Sequence, residues 1–147
     1  MGHLLKDIKI TVVEAAAAAA QTDLTTDVLD MTGYEGVMWI ALTGDVTSGS
    51  VLTLTAKGNS ANSVSSPTPV TQKASDAFTA GAATADSKAI VVDVFRPTLR
   101  YQFAVLSRTT QDAIVGGIIA IQYKADTKPT SQDASVIASA VGLGVSS

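Results

Sequence analysis

The feature that most constrains the fold is a series of short apolar or alternating segments, separated by turns rich in glycine, serine and proline. In the first segment, Ile8, Ile10 and Val12 alternate with Lys9 and Thr11, and a two-residue period is typical of a β-strand. Stronger segments follow at residues 37–42, 51–56, 89–95, 99–106 and 113–123. Roughly seven to nine short strands with almost no helix predict an all-β fold, an antiparallel β-sandwich or a barrel.

Two of these segments carry more specific information. Residues 37–42 (V-M-W-I-A-L) are apolar throughout, which is typical of a strand in the middle of a sheet with both faces covered. Trp39 is therefore expected in the core. Gly116 and Gly117 lie inside the last strong segment, and glycines within a strand predict a β-bulge or a close approach of another backbone.

The composition argues against several classes of function and indicates apolar surface that the chain itself does not bury. Charged residues make up 16% of the chain, compared with about 25% in a typical soluble domain, so apolar surface is expected to remain for a partner. No uninterrupted apolar run approaches the roughly 20 residues of a membrane-spanning helix, and no membrane partner is predicted. Lysine and arginine are scattered singly at a net charge of −3, which argues against a nucleic-acid partner.

The chain offers few residues for catalysis or metal binding. His3 is the single histidine and there is no cysteine, so histidine-based triads and cysteine–histidine zinc sites are not available. Carboxylates are the remaining candidates, but no spacing selects a catalytic pair or a calcium site among Asp23, Asp27, Asp30, Asp45, Asp86 and Asp93. We therefore predict no enzymatic activity, no metal and no cofactor, and interpret these acids as turn and surface residues.

Asp93 is unusual because it interrupts an apolar strand. A turn, Arg96-Pro97-Thr98, follows that strand, and Arg100 lies on the next predicted one. An ion pair between Asp93 and Arg100 is expected, since opposite charges on facing strands are modestly stabilising.

The two ends of the chain differ in character from its middle. Residues 1–22, which include an alanine run, are expected to form an N-terminal arm, and residues 23–124 the β-sandwich domain. Residues 125–147 begin as a polar linker and end as a charge-free apolar arm, which we expect to dock on a partner because solvated tails normally carry charge. The candidate partner-facing side chains on the two arms are Leu4, Leu5, Ile8, Ile10, Val12, Val136, Ile137, Val141, Leu143 and Val145.

Four strings carry a resemblance to a known group of proteins: D-V-L-D-M-T-G-Y-E-G-V-M-W-I-A-L-T-G-D-V at 27–46, V-L-T-L-T-A at 51–56, V-V-D-V-F-R-P at 91–97 and G-G-I-I-A-I-Q-Y at 116–123. With the Ser/Ala-rich tail, they resemble small virion proteins of tailed bacteriophages. Some of these proteins are jelly-roll cement (decoration) proteins on the outside of an icosahedral head.

This resemblance implies a jelly roll with extended N- and C-terminal arms. It also implies a structural virion protein that binds the major capsid protein at the capsid surface and stabilises contacts between capsid subunits. Self-association as a homodimer or homotrimer is expected as well. Before assembly, such a protein would be in the host cytoplasm.

Two other classes of function stay open. A tail or head–tail joining protein with a β-sandwich would have the same sequence features. A carbohydrate-binding β-sandwich module would use Tyr34, in a glycine-rich turn, together with the loop at residues 57–69 and nearby acids.

Overall fold

The computed structural model describes residues 3–82 and 85–144, and their secondary structure is almost entirely β. A turn of 3-10 helix at Leu4–Lys6 is the only helical element among these residues. The strands are β1 (Lys9–Glu14), β2 (Ala17–Ala20), β3 (Leu24–Thr25), β4 (Leu29–Asp30), β5 (Gly36–Val46), β6 (Val51–Asn59), β7 (Val70–Ala74), β8 (Phe78–Thr79), β9 (Ala89–Phe95), β10 (Tyr101–Thr109) and β11 (Ala113–Tyr123).

These strands form two antiparallel sheets that pack against each other. Sheet A has the order β1-β11-β5-β9, and β2 also pairs with β11. Sheet B has the order β3-β10-β6-β7, and β4 and β8 pair with β10 and β6. Early strands thus pair with late ones in a nested series: β1 with β11, β3 with β10, β5 with β9, and β6 with β7. Nested pairing across two sheets is the jelly-roll arrangement, so the predicted all-β sandwich is confirmed.

The core lies between the two sheets and takes every second residue of the central strands. On β5 and β6 the buried side chains include Val37, Trp39, Ala41, Leu52, Leu54 and Ala56. Trp39 is completely buried, as predicted. Because side chains alternate along a strand, the residues between these positions face away from the core.

Residues 9–20, which we expected in an N-terminal arm, are strands of sheet A instead. β1 pairs with β11, with Lys9 opposite Gln122 and Val12 opposite Ile119, while β2 pairs with the start of β11. The alanine run is extended because it finds backbone partners in the sheet, whereas an isolated helix of that length is marginal in water.

The irregularity predicted at Gly116 and Gly117 is present as a bulge. The register of β11 against β5 shifts on both sides of Val115, and Gly117 has a φ of +133°, which L side chains rarely adopt. A Cβ at Gly117 would also come within 3.3 Å of the Glu14 carbonyl oxygen. The glycines let β11 bend while it pairs with β5 on one side and with β1 and β2 on the other.

A buried arginine connects the two sheets at one end of the sandwich. Arg108 lies on β10 in sheet B and is 2% exposed. Its Nη1 donates to the carbonyl oxygens of Ala18 at 2.9 Å and Ala113 at 2.7 Å, and its Nε donates to that of Thr22 at 2.9 Å. Since Ala18 and Ala113 belong to sheet A, one side chain of sheet B supplies hydrogen-bond donors to the backbone of the other sheet.

Candidate interaction surfaces

The outer side of sheet A is almost entirely apolar. The register places Val12 opposite Ile119, Ile119 opposite Ile40, and Ile40 opposite Val91, so one continuous row crosses all four main strands. Asp93 is the only charged residue among the outward positions of the described segments 10–12, 38–42, 89–95 and 119–123, and Asp45, farther along β5, is exposed as well. We call this set the sheet A face; it consists of Ile10, Val12, Met38, Ile40, Leu42, Ala89, Val91, Asp93, Phe95, Ile119, Ile121 and Tyr123.

The sheet A face lies open in the described part of the chain. The expectation that residues 37–42 have both faces covered holds for the inner side, where Trp39 is buried. On the outer side, Leu42, Val91 and Phe95 are 40–50% exposed. Contiguous apolar surface on a soluble domain marks an interaction site more often than isolated exposed side chains do.

The outer side of sheet B is more polar than that of sheet A. Its outward positions on β6 and β10 alternate with buried ones such as Leu54 and Leu106. The polar ones are Thr53, Thr55, Lys57, Ser107 and Thr109, and the apolar or aromatic ones are Val51, Tyr101, Phe103 and Val105. Phe103 is only 1% exposed, so the apolar side chains that solvent reaches on this side are fewer than on the sheet A face.

An aromatic pair closes one end of the sheet A face. The Tyr123 ring lies over Gly36, where any Cβ would overlap with it, and stacks on Phe95 with 6.4 Å between ring centroids. The Tyr123 hydroxyl donates to Asp93 Oδ1 at 2.6 Å. Burial and this hydrogen bond to a carboxylate raise the pKa of Tyr123. The single acid of the face is thus engaged with a neighbour at its edge.

Two cations flank the aromatic pair. Arg96 and Lys124 lie 5.1 Å and 5.0 Å from the centre of the Phe95 ring, and each approaches Glu35 to 3.9 Å. The apolar face therefore has a charged rim at this end, as protein–protein interfaces commonly do.

The predicted ion pair between Asp93 and Arg100 is wrong. Arg100 binds Asp30 instead, with 3.0 Å from Nε to Oδ1 and 2.8 Å from Nη2 to Oδ2. Its hydrogen bond holds the pKa of the Asp30 carboxyl well below its ordinary value. The physical reason is topological: Asp93 is on β9 of sheet A, whereas Arg100 immediately precedes β10 of sheet B, so the intervening turn crosses between sheets.

Residues 130–135 of the C-terminal segment cap the free edge of β1 with side chains. The backbone N–H of Ile10 donates to Gln132 Oε1 at 2.6 Å, and that of Val12 donates to Ser135 Oγ at 2.9 Å. Gln132 Nε2 and the Thr130 hydroxyl donate to the carbonyl oxygen of Ile8. These contacts satisfy edge groups that would otherwise invite pairing with another strand.

Beyond this cap, residues 136–144 have no regular secondary structure; we call them the apolar tail. Ile137 is 99% exposed and Leu143 is 84% exposed, while Val141 is also exposed and Val136 is half-buried. Val145 lies outside the described residues. A charge-free segment with aliphatic side chains in water has apolar surface to bury on association.

The candidate residues of the N-terminal segment are divided among three environments. Leu4 is exposed on the 3-10 turn, whereas Ile8 is buried within the chain. Leu5 is half-buried, and its carbonyl oxygen accepts hydrogen bonds from the C-terminal cap. Ile10 and Val12 belong to the sheet A face. Of these five residues, Ile8 alone offers no surface to a partner.

A cleft of about 460 Å³ lies beside β9, at the edge of sheet A opposite β1. We call it the edge cleft. Most of the side chains that line it are apolar. The sequence does not predict this cleft, because its walls come from strands of both sheets. The lining residues include Thr43, Leu52, Phe78, Lys88, Ile90 and Val91.

Tyr34 lines another, more polar cleft of about 430 Å³ with Glu35, Arg96 and Arg100. Burial raises the pKa of Tyr34. No lining residue of this cleft comes from the loop at 57–69, and Trp39 is in the core. Of the sugar-binding set suggested by the sequence, Tyr34 and the acid Glu35 line this cleft together.

Residues 3–82 and 85–144 contain no group of three or more histidine, aspartate or glutamate side chains arranged to hold a metal ion. Within the same residues, no helix is long and apolar enough to cross a membrane.

No protein-family model matches this chain. A search of the curated proteins likewise finds no match.

Proposed function

We propose that this chain is a non-enzymatic structural protein of a virion, a cement (decoration) protein on the outside of a phage capsid. It would bind the major capsid protein, stabilise contacts between capsid subunits, and associate with itself. The observation that carries this proposal is the open sheet A face, together with the phage-like strings of the sequence. Its location would be the capsid surface, after synthesis in the host cytoplasm.

The size of the sheet A face indicates how such a protein would bind. Four strands about 4.8 Å apart and about 20 Å long present a flat footprint of roughly 400 Å². A standard interface uses about 800 Å² from each partner. The face alone is about half of that, so stable attachment requires further surface, and the apolar tail is the part of the chain suited to supply it.

The acids of the chain support a structural role. Asp30 is bound by Arg100, Asp86 accepts the backbone N–H of Val46 at 2.8 Å, and Asp93 accepts the Tyr123 hydroxyl. Each of these carboxylates stabilises a turn, a strand or a side chain, and we propose no cofactor.

A tail or head–tail joining protein is the main alternative, because the same apolar face would serve in either part of a virion. A carbohydrate-binding module has weaker support, since Tyr34 is half-buried and Trp39 is in the core. The identity of the surface that the sheet A face covers separates these possibilities.

The proposal is tested by co-sedimentation of the purified protein with expanded, empty heads of the source virus. Wild-type protein is expected to pellet with heads, and Ile40→Asp to lose this binding, because it places an unpaired charge at the centre of the sheet A face. Thr55→Asp on the outer side of sheet B is the matched control and should bind like wild type.

Circular dichroism of both variants verifies that they are folded. Failure of the wild-type protein to bind heads would reject the cement role, and complementation of tail assembly would favour the alternative. Equal loss of binding in Ile40→Asp and Thr55→Asp would remove the sheet A face as the site.

A further inference from the structure

Two unpartnered apolar features lie at opposite edges of sheet A. The apolar tail leaves the body of the protein beside β1, where Ser135 is bound to the edge of that strand. The edge cleft lies beside β9, at the other end of the β1-β11-β5-β9 order. One feature presents side chains that need burial, and the other presents a concave apolar surface.

We propose that the apolar tail of one copy docks in the edge cleft of a second copy. This inference deepens the self-association part of the proposed function and rests on it. The occupant of the cleft is thus a defined segment of the same polypeptide, residues 136–144, with Ile137 and Leu143 as the side chains that enter it.

The chemistry of the two features is complementary. The tail carries no charged residue, and among the described residues that line the cleft Lys88 is the only charged one. Phe78 and Val91 both line the cleft and are 46% and 50% exposed, so both have area to bury against the tail. The cleft volume also lies in the range of sites that enclose small apolar ligands.

The place of the tail in its own chain favours a second copy as its source. Ser139, Ala140 and Val141 line a depression together with Leu5 and Lys6, which places this part of the tail beside the start of the chain. Three strand spacings, about 14 Å, separate β1 from β9. The tail and the cleft of one molecule therefore lie at opposite edges of sheet A.

This placement also determines the type of assembly. A donor at one edge and an acceptor at the opposite edge make a head-to-tail contact, which forms a ring when the rotation between copies closes. β9 pairs only with β5 among the described residues, so its outer edge can also accept backbone hydrogen bonds from an extended segment.

Analytical ultracentrifugation of the full-length protein tests this contact. The double variant Ile137→Ser with Leu143→Ser removes the tail anchors, and Phe78→Ser alters the cleft. Each is expected to weaken self-association about tenfold or more per side chain. Val64→Ser changes an exposed valine in another loop and should leave self-association unchanged. The tail substitutions lie outside every strand, so they do not threaten the fold.

Mixing the two variants provides a decisive second measurement. The tail variant keeps an intact cleft and Phe78→Ser keeps an intact tail, so the mixture should form a heterodimer that neither forms alone. A wild-type protein that stays monomeric, or tail variants that self-associate like wild type, would overturn the inference.

The outcomes separate this inference from the proposed function. Oligomers that depend on tail and cleft, but do not bind heads, would retain the inference and reject the cement role. A monomer that still binds heads through Ile40 would reject the inference and retain the cement role.

Discussion

The outer sides of the two sheets differ although both sheets contribute to the same core. On sheet A, Ile40 and Ile121 occupy outward positions, whereas on sheet B the corresponding outward positions include Thr55 and Ser107. Folding stability alone does not require this difference, because either side could be polar without affecting the core. The difference supports the proposal that sheet A is the side that binds a partner.

The charged rim at one end of sheet A supports the same proposal. Asp93 is bound to Tyr123, and Arg96 and Lys124 lie beside Phe95. Polar groups are thus kept at the border of the apolar surface, where they can stay hydrated when the centre is covered.

The difference between the two sheets is tested most directly by placing charges on the outer side of each sheet. The measurement is the fluorescence of a dye that binds exposed apolar surface. Ile40→Lys with Ile121→Lys should remove most of the dye signal, because it charges the centre of the sheet A face. Thr55→Lys with Ser107→Lys, its diagonal counterpart on sheet B, should change little. Equal signals from both variants would show that the two sides do not differ.

A second prediction concerns Arg108, which connects the two sheets by hydrogen bonds. Arg108→Met leaves the carbonyl oxygens of Ala18, Thr22 and Ala113 without their donor, so we expect a loss of about 3 kcal/mol in the free energy of unfolding. In a thermal melt this corresponds to about 6–12 °C. Arg100→Met is the control, since it removes an exposed pair that solvent screens. A melting temperature unchanged by Arg108→Met would contradict the prediction.

The smallest expected effect concerns the aromatic pair of Tyr123 and Phe95 at the end of the sheet A face. Gly36→Ala displaces the Tyr123 ring from Phe95 and Asp93, at a cost of about 1–2 kcal/mol in the free energy of unfolding. At Gly116, an added Cβ would make only an ordinary contact with the Leu42 carbonyl oxygen at 3.6 Å, so Gly116→Ala should melt within about 2 °C of wild type. Equal melting of the two variants would mean that the aromatic pair does not stabilise the fold.

Much of the fold follows from local patterns in the sequence. Alternation identified β1, the apolar run placed Trp39 in the core, and Gly116 and Gly117 marked the bulge in β11. Each of these predictions depends on residues close together in the chain, because strand period and backbone freedom are local properties.

The candidate partner-facing residues differ in exposure. Ile10, Val12, Ile137, Val141 and Leu143 are available to a partner, but Ile8 is buried within the chain. Strand period does not distinguish an edge strand that packs in a sheet from an arm that extends away. The sequence therefore predicts an arm at residues 1–22, which include β1 and β2.

The sequence by itself therefore determined that this protein forms short, mainly half-apolar strands with few charges to solvate them. Only the tertiary structure decided which sheet each strand joins, that Asp93 and Arg100 lie apart, and that outward residues of β1, β5, β9 and β11 merge into one face. The physical reason is that sheet membership depends on pairing between distant segments, such as Ile10 with Ile121. The free energy of this pairing is distributed over the whole sheet, so the sequence of a single segment does not reveal it.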